Sequence, residues 1–262
     1  MVDLNLIKNY FPEPIRNNVL LGKSMMQEYI QLSILEYLST TQYIRKLIFI
    51  GGTNLRLVMR IDRFSEDLDF DCKEMNKEEF LKMSDDVMQF LIRNGYKVES
   101  RDKNSSKLTA FRRNIYFPEL LFDLGLSGYR DERFLIKIEA QDQGVRYTPE
   151  TKNIKGCGFY FPFPVPADAV LCAMKMTALL ERGKGRDFYD VMFLLGQTKP
   201  DYGFLAKRIG IKNEVELKAE VKKRLKITDL KTRTKDFEHL LFNKENSKRI
   251  LKFEDFFEES IQ

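Results

Sequence analysis

Gly51-Gly52-Thr53 and, a short way on, Asp67 and Asp69 are the residues of this chain whose types and spacing invite chemistry. Two consecutive glycines at the end of an apolar run let the backbone approach a bulky anion closely. A helix beginning there offers free N–H groups and the positive end of its dipole. A phosphate fits such a cradle. Asp67 and Asp69 lie two apart in Asp67-Leu68-Asp69-Phe70-Asp71, an alternation that puts carboxylates on one face of a strand and Leu68 and Phe70 on the other. Carboxylates side by side repel, and a divalent cation relieves the repulsion. Magnesium favours such oxygen ligands, one or two carboxylates completed by substrate phosphates. Together these parts describe metal-assisted phosphoryl transfer.

A single histidine, His239, stands in 262 residues. That excludes a multi-histidine metal site and speaks against Ser-His or Cys-His machinery, so catalysis has to run on carboxylates, Lys and Arg. Cys72, Cys157 and Cys172 share no CxxC spacing and cannot all pair, which fits small buried residues in a reducing compartment and no structural zinc. The balance of 44 Lys and Arg against 39 Asp and Glu gives only +5, and 43% apolar residues suffice for a core. No apolar stretch approaches the roughly 18 residues of a membrane span, and the N-terminus has no signal-peptide core. The chain is expected in the cytoplasm, with no membrane partner.

The elements that must position these residues follow from periodicity. Residues 24–42 carry Met25, Met26, Tyr29, Ile30, Ser33, Ile34, Tyr37 and Leu38 at helical spacing. Leu47-Ile48-Phe49-Ile50 reads as a buried strand ending at the glycines, after which Thr53 or Asn54 caps a short helix. The Asp67–Asp71 alternation follows, then a helix over 76–93 stopped by Gly95, and strands over 96–100, 108–117 and 134–140. Residues 144–166, with four prolines and three glycines, read as an irregular crossing. Beyond Ala167 the pattern is helical, over 167–182, 186–196, 202–209, 213–225 and two further segments. The expected fold is α+β: an α/β core with a mixed sheet over 1–145, then a mainly helical domain over 146–262.

GGTNLRL at 51–57, RFSEDLDF at 63–70, FLIKIEA at 134–140 and AMKMTALLERGKGRDFYDVMFLL at 173–195 resemble, in this order, the AbiEii/AbiGii toxin family of the DNA polymerase β-like nucleotidyltransferase superfamily. The chain departs from it at Asp62, where many relatives have His, and at Asn54, where a small residue is common. The resemblance implies a polymerase β-like core whose sheet is flanked by helices. It implies that Gly51, Gly52, Thr53 and Ser65 cradle a nucleoside triphosphate and that Asp67 and Asp69 bind magnesium. Glu139 would be the third carboxylate, helping to hold a second metal and to activate the attacking hydroxyl. Glu139 and Lys137 alternate with Ile136, Ile138 and Ala140, a pattern a plain surface strand shares; Asp71 and Asp123 are rivals for the third place.

Lys175 lies on a helix otherwise built of Ala, Met and Leu, where it needs an anionic partner or a path to solvent. The resemblance gives it the triphosphate. Arg182, Arg186, Asp187 and Asp190 admit two readings, nucleotide contact or Arg–Asp pairing across a helix junction, and Asp187 is a candidate to orient Lys175. Arg63 either meets phosphate or braces the Asp67–Asp69 strand. Residues 205–235 hold 11 Lys and Arg against four acidic residues, and residues 97–115 hold six against two, with Phe111 as a candidate base-stacking partner. By resemblance the chain is the toxin of a toxin–antitoxin pair. It would transfer a nucleoside monophosphate from an NTP to RNA, at a tRNA 3′ end, opposed by a separately encoded antitoxin. Transfer to a small molecule or protein side chain, and a non-catalytic RNA-binding protein on the same fold, are the alternatives.

Overall fold

Leu47–Ile50 forms strand β1, apolar and buried throughout, and Gly51, at φ 83°, turns the chain directly into helix α4 (Gly51–Leu57). The computed structural model describes residues 3–100 and 110–261. They divide into two units. One runs to Arg60 and takes in Phe64–Asp142 and Thr151–Val165; the other takes in Ile61–Arg63, Gln143–Glu150 and the chain from Pro166 onward.

In the first unit, β2 (Asp67–Cys72), β3 (Glu99–Ser100), β4 (Phe111–Tyr116) and β5 (Leu135–Gln141) join β1 in a sheet of order β1-β2-β5-β4-β3 among the described residues. β2 is antiparallel to β1 but parallel to β5, so the sheet is mixed, as expected. Helices α1 (Leu4–Lys8), α2 (Glu13–Arg16), α3 (Gly22–Ser39), α5 (Lys77–Arg93) and α6 (Leu120–Asp123) belong to the same unit. α5 starts where Asn76 and Glu79 form a capping box and stops at Gly95, at φ 85°. α3 is buried well beyond the stripe its periodicity suggests: Leu32 and Leu35 join Met25, Met26, Ile30, Ile34 and Leu38 in having no exposed surface. The cause is packing of α3 against α1, α5 and the strand Phe159–Val165.

The segment 144–166 is not irregular throughout. Glu150–Gly156 and Phe159–Val165 form strands β6 and β7, a two-stranded ribbon closed through Cys157 and Gly158, both at positive φ. Phe161, Phe163 and Val165 alternate inward while Pro162 stays exposed, so the prolines fall where a ribbon tolerates a missing N–H. Phe163 packs its ring against Phe49 and Phe70 at centroid distances of 6.0 Å.

The second unit is helical: α7 (Asp168–Glu181), α8 (Gly185–Leu195), α9 (Tyr202–Ile209), α10 (Glu214–Lys226), α11 (Leu230–Lys235) and α12 (Phe253–Ser260). α7 packs on α8 and α9, and Phe188 of α8 meets Phe253 edge-on at 4.9 Å. The extended residues 61–63 belong here because Arg63 bridges to Leu241 and the Asp62 carbonyl accepts from the Phe242 N–H. The three cysteines are free and buried, and burial pushes their thiols up, Cys72 to about 11 and Cys157 and Cys172 to about 12. No helix among the described residues is long and apolar enough to cross a membrane.

Candidate active site

The sheet register assembles the candidate carboxylates in two rows. Asp69 of β2 lies opposite Glu139 of β5, which lies opposite Arg112 of β4; Asp67 lies opposite Lys137, which lies opposite Asn114. Residues opposite one another share a face, so Asp67, Asp69 and Glu139 stand together with Lys137 and Arg112 between or beside them. The opposite face carries Leu68, Phe70, Ile136 and Ile138, all buried in the core. Of the rivals for the third carboxylate, Asp71 is buried in the next row, opposite Gln141, and Asp123 is exposed on α6.

The ion pairs on this face are close. Lys137 Nζ is 2.8 Å from Asp67 Oδ2 and 3.3 Å from Glu139 Oε1, and Arg112 Nε is 2.5 Å from the same Glu139 oxygen. Glu139 Oε1 is nonetheless buried with no well-directed hydrogen bond, so it is held by charge more than by directed bonding. Burial pushes the Asp67 carboxyl above the usual carboxylate range, with Lys137 acting in the opposite sense. Burial works to lower Lys137, but Asp67 and Glu139 together hold its ammonium above the ordinary value. The donor set is all oxygen, which suits a hard divalent cation. Among the described residues no His, Cys, Asp and Glu side chains are gathered into a closed ligand cage. On this face, cationic side chains separate the carboxylates.

The cradle beside them is tight. A Cβ at Gly51 would stand 2.2 Å from Asp69 Oδ2, so only glycine lets the start of α4 lie against this carboxylate. Thr53 is buried, and its hydroxyl donates to the Asp67 carbonyl, tying α4 to β2. The Asn54 amide donates 2.7 Å to the Phe49 carbonyl. Gln31 Nε2 donates to the Ser65 carbonyl and Gln27 Nε2 to the Glu66 carbonyl, at 3.0 and 2.9 Å, so buried polar groups of α3 hold the link that carries Ser65. Glu28 receives Arg56 through two contacts of 2.7 and 3.0 Å, fixing α3 to α4. Gln27, Glu28 and Gln31 escape a sequence reading that treats α3 as an apolar stripe; their signal is three polar residues on a helix otherwise built to be buried.

In the second unit, Arg63, Lys175 and Asp190 form a buried cluster. The Arg63 guanidinium grips Asp190 at 2.7 and 2.8 Å, and Lys175 Nζ donates to the same carboxylate at 2.8 Å. The anionic partner that Lys175 demands is therefore Asp190. Asp187 takes Arg182 instead, at 2.9 and 2.7 Å, and also accepts from the Lys184 N–H at the start of α8. Burial alone would raise the Asp190 carboxyl, but the Arg63 and Lys175 charges outweigh it and hold it at about 2. Asp62 accepts from the Tyr189 hydroxyl at 2.7 Å and the Asn246 amide at 2.8 Å. The basic stretches are partly taken up within the protein: Arg113 is buried on Ser84 and Asp85 and Phe111 stacks on Phe80, while Lys218 and Lys222 meet Glu258 in more exposed ion pairs. Arg101, Lys103 and Lys107 lie outside the described residues.

Solved structures that share this fold include a nucleotidyltransferase toxin. The chain is similar to JHP933 from Helicobacter pylori, with a TM-score of 0.52 and 19% identity over 90% of this chain and 91% of that one. It is similar also to MenT4, a nucleotidyltransferase toxin from Mycobacterium tuberculosis H37Rv, with a TM-score of 0.54 and 17% identity over 98% and 99% of the two chains. At such identities the likeness speaks for the fold. A comparison with curated proteins finds no match. The model of the nucleotidyl transferase AbiEii toxin family, type IV toxin–antitoxin system, matches residues 33–260, and the chain belongs to that family. It is a nucleotidyltransferase of the toxin class, as its motifs implied.

Proposed function

We propose that the chain transfers a nucleoside monophosphate from an NTP to a hydroxyl of RNA, at a tRNA 3′ end, and that a separately encoded antitoxin opposes it. The acceptor hydroxyl gives its proton to the Glu139 carboxylate as its oxygen bonds to the α-phosphorus; the bond from that phosphorus to the bridging oxygen breaks, and pyrophosphate leaves. The observation that carries this reading is the row of Asp69 opposite Glu139 with Asp67 alongside, against a turn that glycine alone can make. Asp67, Asp69 and Glu139 would hold magnesium, which when bound supplies positive charge at the reacting phosphate. Gly51, Gly52 and the α4 N-terminus receive phosphate oxygens, with Ser65 beside them. Lys175, held ready by Asp190, meets the charge of the departing pyrophosphate. Thr53, Arg63, Asp187 and Arg182 act on the nucleotide through the elements they brace.

The test is incubation of the purified chain with each α-labelled NTP, magnesium and total bacterial RNA, followed by separation of RNA, protein and small molecules. Label is expected in small RNA and is expected to vanish with D67N or D69N that fold normally. Label in a protein band or a small molecule alone would move the acceptor to the other class. Full activity of D67N would remove the metal assignment.

A further inference from the structure

We infer that Lys137 is a resident counter-ion that occupies the place between Asp67 and Glu139 which the divalent cation takes, so that metal loading requires its ammonium to move out. The inference rests on the metal assignment proposed above. Its basis is position. Lys137 Nζ contacts one oxygen of each carboxylate, at 2.8 and 3.3 Å, and so bridges two adjacent strands. A bare divalent cation would approach such oxygens more closely than an ammonium does, so loading would draw the two carboxylates together once Lys137 leaves. Lys137 is on a four-carbon stem with a quarter of its side chain exposed, which gives it a way out toward solvent without leaving its strand. Arg112 remains as the fixed partner of Glu139.

Charge makes the competition consequential. Asp67, Asp69 and Glu139 face Lys137 and Arg112, an excess of a single negative charge; with Lys137 displaced the excess doubles. The two cations therefore offset most of the repulsion among the carboxylates in the unloaded chain, and loading has to overcome a bound cation. Lys137 is thus a positioning residue: it keeps the metal-free face intact and sets a low affinity for metal alone.

The experiment is Mn²⁺ binding to the full chain without nucleotide, followed by the electron paramagnetic resonance of free Mn²⁺. K137M, which keeps the apolar stem, is expected to bind Mn²⁺ at least about tenfold tighter than the wild type, and K137R to stay within about twofold of it. The K137M gain is expected to disappear in K137M/D67N. In the wild type, acetylation of Lys137 read by peptide mass spectrometry should rise about threefold or more on adding Mn²⁺, as expected of an amine freed from an ion pair, with exposed Lys77 as the constant reference. This second readout decides the matter if K137M does not fold. Unchanged or weaker binding by folded K137M, or unchanged Lys137 acetylation, overturns the inference while leaving the metal site standing. Absence of any Mn²⁺ binding sensitive to D67N overturns both.

Discussion

At Gly51 the backbone lies at φ 83° and the missing Cβ is replaced by the Asp69 carboxylate. Alanine there meets strain and a clash together, so G51A should cost about 1–3 kcal/mol and most of the transfer activity. Thermal melts and label transfer check this; a near-wild-type rate would mean that the close approach of α4 to β2 is dispensable. Asp190 offers a pH test. Its carboxyl is held at about 2 from an ordinary 3.8, so the unfolded chain takes up its proton first as pH falls. The stabilisation is complete above the ordinary value and is lost as pH drops through the folded one. D190N should therefore be less stable than the wild type near pH 6, by about 2–5 kcal/mol, since it leaves Arg63 and Lys175 buried without their anion. The gap should narrow between pH 4 and pH 2 in urea melts. A gap that ignores pH would mean the carboxylate charge is not what holds the cluster.

The β6–β7 ribbon is the element whose packing is most readily probed. Phe163 has no exposed surface and meets both Phe49 and Phe70, next to the carboxylate strand. F163A should cost about 3–5 kcal/mol, read as a lowered urea midpoint. A cost below about 1 kcal/mol would mean the ribbon is not part of this core. The ribbon also shows what sequence reading can and cannot reach. β1, β2 and α5 were legible because their signals are local: an apolar run cut by glycines, strict alternation, an Asn76 cap and a Gly95 stop. α4 was legible as a helix but not in its start, which is Gly51 rather than a Thr53 or Asn54 cap, because both side chains donate to strand carbonyls instead. In 150–165 the prolines and glycines outweighed the alternation of Phe161, Phe163 and Val165, although a free ribbon edge accepts proline. The face shared by Asp67 and Asp69 was legible for the same local reason. That Glu139 joins them came only through the family resemblance, and the pairing with Lys137 and Arg112 not at all, because no short-range pattern sets register between strands distant in the chain. Arg63 and Lys175 choosing Asp190 is of the same kind, with Arg63 and its partner 127 positions apart in the chain.

Over the whole molecule the charge of +5 is a remainder of larger, segregated charges. If RNA is the acceptor, retention of tRNA on the chain should weaken steeply with salt, by on the order of tenfold or more between 50 and 200 mM, since phosphate contacts release counterions. Filter binding across a salt series measures the slope, and a flat response would argue against a basic RNA surface. The order of the sheet carries a further consequence, for folding in time. β1 with β2, and β4 with β5, are antiparallel partners close in sequence, whereas Asp69 and Glu139, about 70 residues apart, meet through the parallel pairing of β2 with β5. Closing that distance is the slow, non-local step. The carboxylates of β2 and the one of β5, Glu139, thus reside on separate antiparallel pairs, and a chain still emerging from the ribosome has no assembled site before Gln141 is available for pairing. Synthesis of such an enzyme can run well past its first motifs before any of its chemistry can begin.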